Sequence, residues 1–325
     1  MKIFITRKIP QTGINLLQQA GFEVDISSLD RPMTRDELKQ KIVGVDAILS
    51  QLVDKIDAEI LDTAGKQLKI VANYAVGYDN INLQDAKSRN VLVTNTPDIL
   101  TDSVADHAFA LMMAASRRVA ESDRFSRAGK YKGWQPFLLL GQDVYGKTLG
   151  IVGMGRIGAA LAKRAAKGFG MKILYHDRAA VTALDLEIGS KNVSMEDLLK
   201  NSDFISLHVP LLPETKHLIS TPQFEMMKKT AVLVNTSRGP VVDEQALLEA
   251  LKKEDIFAAG IDVWENEPNL TPGLAELENI VITPHTASAT IETRENMSKV
   301  AAENIISALK GEKPSNLVLF KLKQS

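Results

Sequence analysis

The residues most able to do chemistry are set directly after apolar runs. Gly153-Met154-Gly155-Arg156-Ile157-Gly158 follows the run 148–152 and opens a helical stretch at 159–169. Between a strand and a helix, the first glycine permits a tight turn and the second lets a pyrophosphate approach the backbone. The third brings the helix close to the strand, and the first helical amides face the anion. Gly153, Gly155, Arg156, Ile157 and Gly158 are therefore candidate dinucleotide-binding residues. A second run, 172–175, ends in His176-Asp177-Arg178. Asp177 lies about 20 residues beyond Gly158, the spacing of a carboxylate that binds an adenosine ribose. Such a carboxylate prefers free hydroxyls to a 2′-phosphate, so NAD(H) is favoured. Arg178 is a guanidinium able to accept a phosphate, which keeps NADP(H) open.

Three more segments leave consecutive apolar runs. Asn235-Thr236-Ser237-Arg238-Gly239 follows 231–234, and Asp262-Val263-Trp264-Glu265-Asn266-Glu267-Pro268 follows 257–261. Thr283-Pro284-His285-Thr286 follows 280–282. In a parallel sheet, Arg238, Asp262, Glu267 and His285 all emerge at the carboxyl edge, where ligand crevices open. A cation, carboxylates and an imidazole that titrates near neutral pH would thus meet at the nicotinamide end of the nucleotide. The other four histidines read differently. His107 begins a long apolar helix and reads as structural, and His176 sits beside the ribose carboxylate. His208 ends a strand where adenine would lie, and His217 falls in a polar loop. No His-x-x-x-His or Glu-x-x-His spacing joins any of the five, so no metal site is expected.

The elements that must carry these residues alternate between short apolar runs and amphipathic stretches, the signature of α/β folds with parallel sheets. Strands are expected at 2–5, 22–24, 47–49 and 68–72, with helices at 13–20, 34–43 and 58–64. A long helix is expected at 101–128. Six more strands follow at 148–152, 171–175, 204–207, 231–234, 257–261 and 280–282, then a helix at 288–309. Six strands are the number in a dinucleotide-binding sheet of two halves. Residues 100–286 therefore read as one Rossmann-like, doubly wound NAD-binding domain. Residues 1–99 and 287–325 would fold together as a second, substrate-binding domain, with a hinge where the chain crosses near Leu100 and Ala287.

Composition narrows the class. The 325 residues carry 39 Lys+Arg against 40 Asp+Glu, a net charge of −1, so no basic footprint suggests nucleic acid as a partner. Apolar residues make up 45 %, which excludes global disorder. There are no cysteines, which removes disulfides, thiolate catalysis, Cys-bound zinc and iron–sulfur clusters. The N-terminal apolar stretch is too short for a signal peptide. The longest apolar stretch, 108–115, is far below the ~18 residues of a membrane span. A soluble, cytoplasmic enzyme without a membrane partner is the expectation.

The glycine turn, with the segments around Arg238, Glu267 and His285, resembles the D-isomer-specific 2-hydroxyacid dehydrogenase family, and the resemblance runs over essentially the whole chain. It implies two α/β domains with a catalytic cleft between them. It further implies that Arg238 binds the substrate carboxylate, that His285 is the acid/base, and that Glu267 orients and charges His285. Ser103, the glycine turn, Asp177, Pro210, Thr236 and Asp262 match positions lining the cofactor. Asn73-Tyr74-Ala75-Val76-Gly77-Tyr78-Asp79-Asn80 matches the loop whose amides, at Val76 and Gly77, hold the carboxylate. The chemistry agrees. An arginine is a planar two-pronged donor to a carboxylate. The carbonyl oxygen of a 2-oxoacid gains charge on reduction and needs a proton, which a histidine favoured as imidazolium by a neighbouring carboxylate supplies.

Departures from the family's other branches narrow the substrate. Phosphoglycerate dehydrogenases place an arginine in the substrate loop where Asn73-Tyr74 stands here, and formate dehydrogenases pair the histidine with glutamine rather than Glu267. Gly133-Trp134-Gln135-Pro136 and the stretch from Leu140 to Thr148 look most like glyoxylate/hydroxypyruvate reductases. Reduction of glyoxylate to glycolate and of hydroxypyruvate to D-glycerate is the expected activity. Another D-2-hydroxyacid dehydrogenase, acting on D-lactate or phosphoglycerate, is the alternative within the family. From a different class, the C-terminal-binding proteins use a similar fold as an NAD-sensing scaffold, usually with a disordered tail that this chain does not show after its last helix. A two-fold homodimer is expected through the helix from Thr101 and the loop carrying Trp134, Phe137, Leu138, Leu139 and Leu140, an apolar patch that a monomer rarely exposes.

Overall fold

Short strands buried on both faces are the framework of this protein. The computed structural model describes residues 1–318, so the last part of the expected segment 287–325 lies outside the described residues. Along the chain come β1 (Lys2–Ile5), α1 (Gln11–Gln19), β2 (Glu23–Ile26), α2 (Arg35–Lys41), β3 (Ala47–Ser50), α3 (Ala58–Ala64), β4 (Ile70–Asn73), α4 (Leu83–Ser88) and β5 (Leu92–Thr94). Then follow α5 (Thr101–Ser116), α6 (Val119–Arg127), β6 (Thr148–Val152), α7 (Arg156–Phe169), β7 (Lys172–His176), α8 (Thr182–Ile188), β8 (Lys191–Asn192), α9 (Met195–Asn201) and β9 (Phe204–Leu207). The series ends with α10 (Thr221–Met226), β10 (Val232–Asn235), α11 (Glu244–Lys252), β11 (Ala258–Ile261), β12 (Ile280–Ile282) and α12 (Ile291–Leu309).

The chain divides into two units. One comprises Met1–Leu100 and the segment starting at Ala289; the other is Thr101–Ser288. In the first, five parallel strands run in the order β2-β1-β3-β4-β5. One face is packed by Leu38, Ile60, Leu61 and Ala86 of α2, α3 and α4 against Phe4, Ile48 and Val71. Helix α12 packs against α1 and β4. Gly13 of α1 lets the two helices approach: its N–H donates to Ser298 Oγ at 3.2 Å, and a Cβ there would run into the Ser298 carbonyl.

In the second unit, seven parallel strands run β12-β11-β10-β9-β6-β7-β8. The order reverses between β6 and β9, both starting points for opposite windings, and a crevice belongs at the carboxyl ends there. Side chains along the central strands alternate between two cores. Phe204, Val232, Val234 and Ala258 face Ala105, Leu111 and Leu161 of α5 and α7. Ile205, Leu233, Ala259 and Ile261 face Leu198, Phe224 and Leu247 of α9, α10 and α11. Burial on both faces explains why these strands read as continuous apolar runs rather than alternating ones.

Three expectations need correction. The helix expected at 101–128 is two helices, because Arg118 takes a left-handed conformation (φ 54°) and holds Glu121 in a two-pronged pair at 2.7 and 2.8 Å. The nucleotide-type sheet has seven strands rather than six; the extra one, β8, is two residues long and exposed. Strand β5 was not anticipated either. Its three residues are too few for periodicity to register.

Candidate active site

The glycine turn joins β6 to α7. Gly153 has φ +94°, and a Cβ there would come within 2.8 Å of the His208 carbonyl, so only glycine fits. A Cβ at Gly155 would meet nothing within 4 Å, which leaves that stretch of backbone open to approach. At Gly158 a Cβ would run into the Gly153 carbonyl, the close strand–helix contact expected of the third glycine. No side chain caps the start of α7, and its first amides are the anion-facing ones. Asp177 braces the turn, accepting the Met154 N–H through Oδ2 and the Arg178 N–H through Oδ1, each at 2.7 Å. The Arg178 guanidinium pairs with Glu214 at 2.6 Å. Farther along the same carboxyl edge, Thr236 Oγ1 is buried without a hydrogen-bond partner. An open glycine backbone, an uncapped helix start and an unpartnered hydroxyl all fit a dinucleotide. Ser103 is buried on α5, and Pro210 is exposed just beyond β9.

His285 Nδ1 lies 2.9 Å from Glu267 Oε2, and both side chains are about a quarter exposed, at 25 % and 27 %. Glu267 is held in turn by the Trp264 N–H, which donates to Oε1 at 3.3 Å. His285 has φ 52°, a left-handed conformation uncommon for a residue with a side chain. Asp262 over-determines that turn. Its carbonyl accepts the His285 N–H at 2.9 Å, and its carboxylate accepts Thr283 Oγ1 (2.6 Å), the Thr286 N–H (2.7 Å) and the Ala287 N–H (2.8 Å). His107 Nε2 stands 2.9 Å from Thr283 Oγ1 and 3.4 Å from the same carboxylate. Asp262 is 1 % exposed. Burial opposes its ionisation, yet the hydrogen bonds from His107, Thr283 and the two backbone amides outweigh it and hold the carboxyl below its ordinary value. Arg238 begins the short 3-10 turn after β10, its Nη1 donating to the Ser237 carbonyl at 2.8 Å. Gly239 next to it must be glycine, since a Cβ would run into the Trp264 carbonyl.

The remaining histidines have partners of other kinds. His176 Nδ1 is bonded to the Val193 carbonyl at 3.0 Å. Burial lowers the His208 pKa to about 4, so it is neutral near pH 7 and has no proton to give. His217, read from sequence only as part of a polar loop, forms a second imidazole–carboxylate pair with Glu265 at 2.6 Å. No sequence pattern betrays this pair, because its members are 48 residues apart. Among the described residues no group of histidines and carboxylates could hold a metal ion.

The loop after β4 belongs to the first unit. The Asn73 side chain donates to the Gly77 carbonyl (2.8 Å) and to Asn80 Oδ1 (3.1 Å), and Asn80 donates to the Gln51 and Asp54 carbonyls, each at 3.0 Å. The N–H groups of Val76 and Gly77 donate to no acceptor among the described residues. Both residues are half-buried, and two successive free amides make an anion-binding element.

A glycine-turn nucleotide fold with an imidazole–carboxylate pair at its carboxyl edge defines a dinucleotide-dependent oxidoreductase. The profile of D-isomer specific 2-hydroxyacid dehydrogenases, NAD binding domain, matches residues 109–287. A glyoxylate reductase of Korarchaeum cryptofilum is 52 % identical over 98 % of this chain and 95 % of its own length. The chain belongs to the D-isomer-specific 2-hydroxyacid dehydrogenase family and is an NAD(P)-dependent oxidoreductase. Among solved structures, a Thermus thermophilus protein is 43 % identical with a TM-score of 0.91, covering 98 % of this chain and 100 % of its own. An NADPH-dependent glyoxylate/hydroxypyruvate reductase of Sinorhizobium meliloti, solved with NADP and malonate, is 31 % identical with a TM-score of 0.84 over 98 % and 96 % of the two chains.

Proposed function

We propose that this protein reduces small, unphosphorylated 2-oxoacids, glyoxylate to glycolate and hydroxypyruvate to D-glycerate, with NADH as the favoured coenzyme. The observation that carries the reading is the His285–Glu267 pair, with its imidazole on a turn locked by Asp262 at the carboxyl edge that also bears Arg238 and the glycine turn. Gly153, Gly155, Arg156, Ile157, Gly158, Asp177, Pro210, Thr236 and Ser103 are the cofactor-binding residues of this reading. When bound, the nicotinamide supplies the two electrons and one hydrogen of the reduction. Arg238 grips the substrate carboxylate as a planar donor, and the free amides of Val76 and Gly77 are the second carboxylate-binding element. His285 donates a proton to the carbonyl oxygen as negative charge develops there, and Glu267 holds the imidazole in place and favours its cationic form. The pairing of Arg178 with Glu214 supports NADH, since a carboxylate already occupies the guanidinium that a 2′-phosphate would need.

A homodimer belongs to the same reading. Trp134, Phe137 and Leu140 are 82 %, 83 % and 56 % exposed, an apolar patch that a second copy would cover. Leu138 and Leu139 are half-buried and contribute less. Among the described residues no helix is long and apolar enough to cross a membrane. NADH oxidation measured over a panel of 2-oxoacids tests the function, with glyoxylate and hydroxypyruvate expected to lead. The His217–Glu265 pair provides a second proton-donor reading: His285→Gln should abolish turnover while His217→Gln retains it, and the reverse result would move the acid to His217.

A further inference from the structure

The first unit holds its two free amides by a device outside the loop that carries them. Asn95 directly follows β5, the strand beside β4. Its Nδ2 donates to the Val76 carbonyl at 2.8 Å. One residue on, the Thr96 N–H donates to the Ala75 carbonyl at 2.9 Å. In a trans peptide the C=O and the following N–H point in opposite directions within one plane. Anchoring the Ala75 carbonyl therefore turns the Val76 N–H away from segment 95–96, and anchoring the Val76 carbonyl turns the Gly77 N–H away from it as well. Both amides are left facing the same side with no partner among the described residues. The Thr96 bond is backbone to backbone, so side-chain changes leave it in place. The Val76–Gly77 plane is different: the carbonyl of that peptide unit is held by the Asn95 side chain alone.

We propose that Asn95 is a positioning residue for the substrate carboxylate: its side-chain amide locks the Val76–Gly77 peptide so that the Gly77 N–H joins the Val76 N–H in one anion-binding element. The proposal rests on the reading that these amides bind the carboxylate. Its physical logic is preorganisation, since a donor already aimed at the anion needs no reorientation on binding. Asn73 holds the next carbonyl, that of Gly77, so rotation of the 76–77 unit alone is the freedom that Asn95 removes.

Asn95→Asp keeps the shape of the side chain but sets a carboxylate oxygen against the Val76 carbonyl, which drives the peptide to turn its N–H toward the new carboxylate and away from the anion. The measurements are the inhibition constant of oxalate against glyoxylate, KM and kcat for glyoxylate, the Kd of NADH by fluorescence, and the melting temperature. The oxalate constant and KM should both rise by about 10- to 100-fold, the worth of one or two amide bonds to a charged acceptor. NADH affinity and melting temperature should stay at wild-type values, and Asn95→Ala should show the same pattern with a smaller rise. An unchanged oxalate constant in a folded Asn95→Ala or Asn95→Asp protein would overturn the proposal. So would a parallel loss of NADH affinity and melting temperature, because that marks a merely structural role. If Asn95→Asp does not fold, Asn95→Ala decides by the same readings. Wild-type protein that shows no oxalate-sensitive glyoxylate reduction would instead sink the underlying function, which separates the two failures.

Discussion

Asp262→Asn reads out how much of the acid/base geometry depends on one buried carboxylate. In the structure Oδ1 accepts from Thr283 Oγ1 and the Thr286 N–H while Oδ2 accepts from the Ala287 N–H. Asparagine has the same outline but only one acceptor oxygen, so in either orientation a backbone N–H meets an NH2 group. A buried donor left in that state costs about 1–3 kcal/mol, and the loss of charge from the surviving bonds adds about 1 kcal/mol. A total near 2–4 kcal/mol corresponds to a fall in melting temperature of about 5–15 °C for a unit of this size. The turn that relaxes is the one carrying His285, and a displacement of about 1 Å at a reacting group costs about 100-fold in rate. Glyoxylate kcat/KM should therefore fall about 100-fold in the folded variant. The pH dependence has a definite sign. The folded carboxyl is held below its ordinary value, so the charge stabilises the fold above about pH 4, the ordinary carboxylate range, and that contribution is lost as pH falls through the lowered folded value. The stability gap between wild type and variant should be constant around neutral pH and close in strong acid. Wild-type melting together with wild-type kcat/KM would refute the role given to Asp262, and a gap that persists undiminished in strong acid would refute its electrostatic origin.

Other perturbations follow from the same geometry. Glu267→Gln removes the charge 2.9 Å from His285; glyoxylate reduction should weaken first on the alkaline side of its pH profile, and an unchanged profile would break the pair. Asp177→Ser should narrow the ratio of kcat/KM between NADH and NADPH by about tenfold or more, the scale of one charge-assisted hydrogen bond; a wild type that already prefers NADPH would make Arg178 the dominant group instead. Burial pushes the Asp54 carboxyl above its ordinary value despite hydrogen bonds from Thr6 and Gln51 and the charge of Arg7. A raised carboxyl penalises the fold as pH climbs from the ordinary value through the folded one, and the penalty persists above it. Asp54→Asn should thus melt at or above the wild-type temperature at neutral pH, and a fall of several degrees would count against this account. Light scattering at micromolar concentration should report a dimer that Trp134→Glu with Phe137→Glu converts to monomer.

Local order along the chain was legible wherever the physics is local. Strands buried on both faces appear as apolar runs, and each glycine of the turn at 153–158 sits where backbone sterics leave no alternative or no obstacle. The carboxyl-edge placement of Arg238, Glu267 and His285 followed from strand direction alone, since each comes directly after a strand of a parallel sheet. Features that depend on neighbours distant in sequence were not legible. Arg118 breaks the helix at 101–127 in a left-handed conformation that its residue type does not announce, held by a pair with Glu121. Asp262 reads as a cofactor-lining residue, but folding fills its carboxylate with the turn that carries His285. His217 finds Glu265, and Arg178 finds Glu214, across loops whose proximity no period encodes. Asn95 looks like an ordinary residue after a short strand; only the pairing of β5 with β4 sets its amide against the Val76 carbonyl. Hydrophobic periodicity and backbone sterics act over a few residues, so the sequence displays them. Which polar group satisfies which is settled by burial, because a buried donor or acceptor takes whatever partner the packed fold brings within reach.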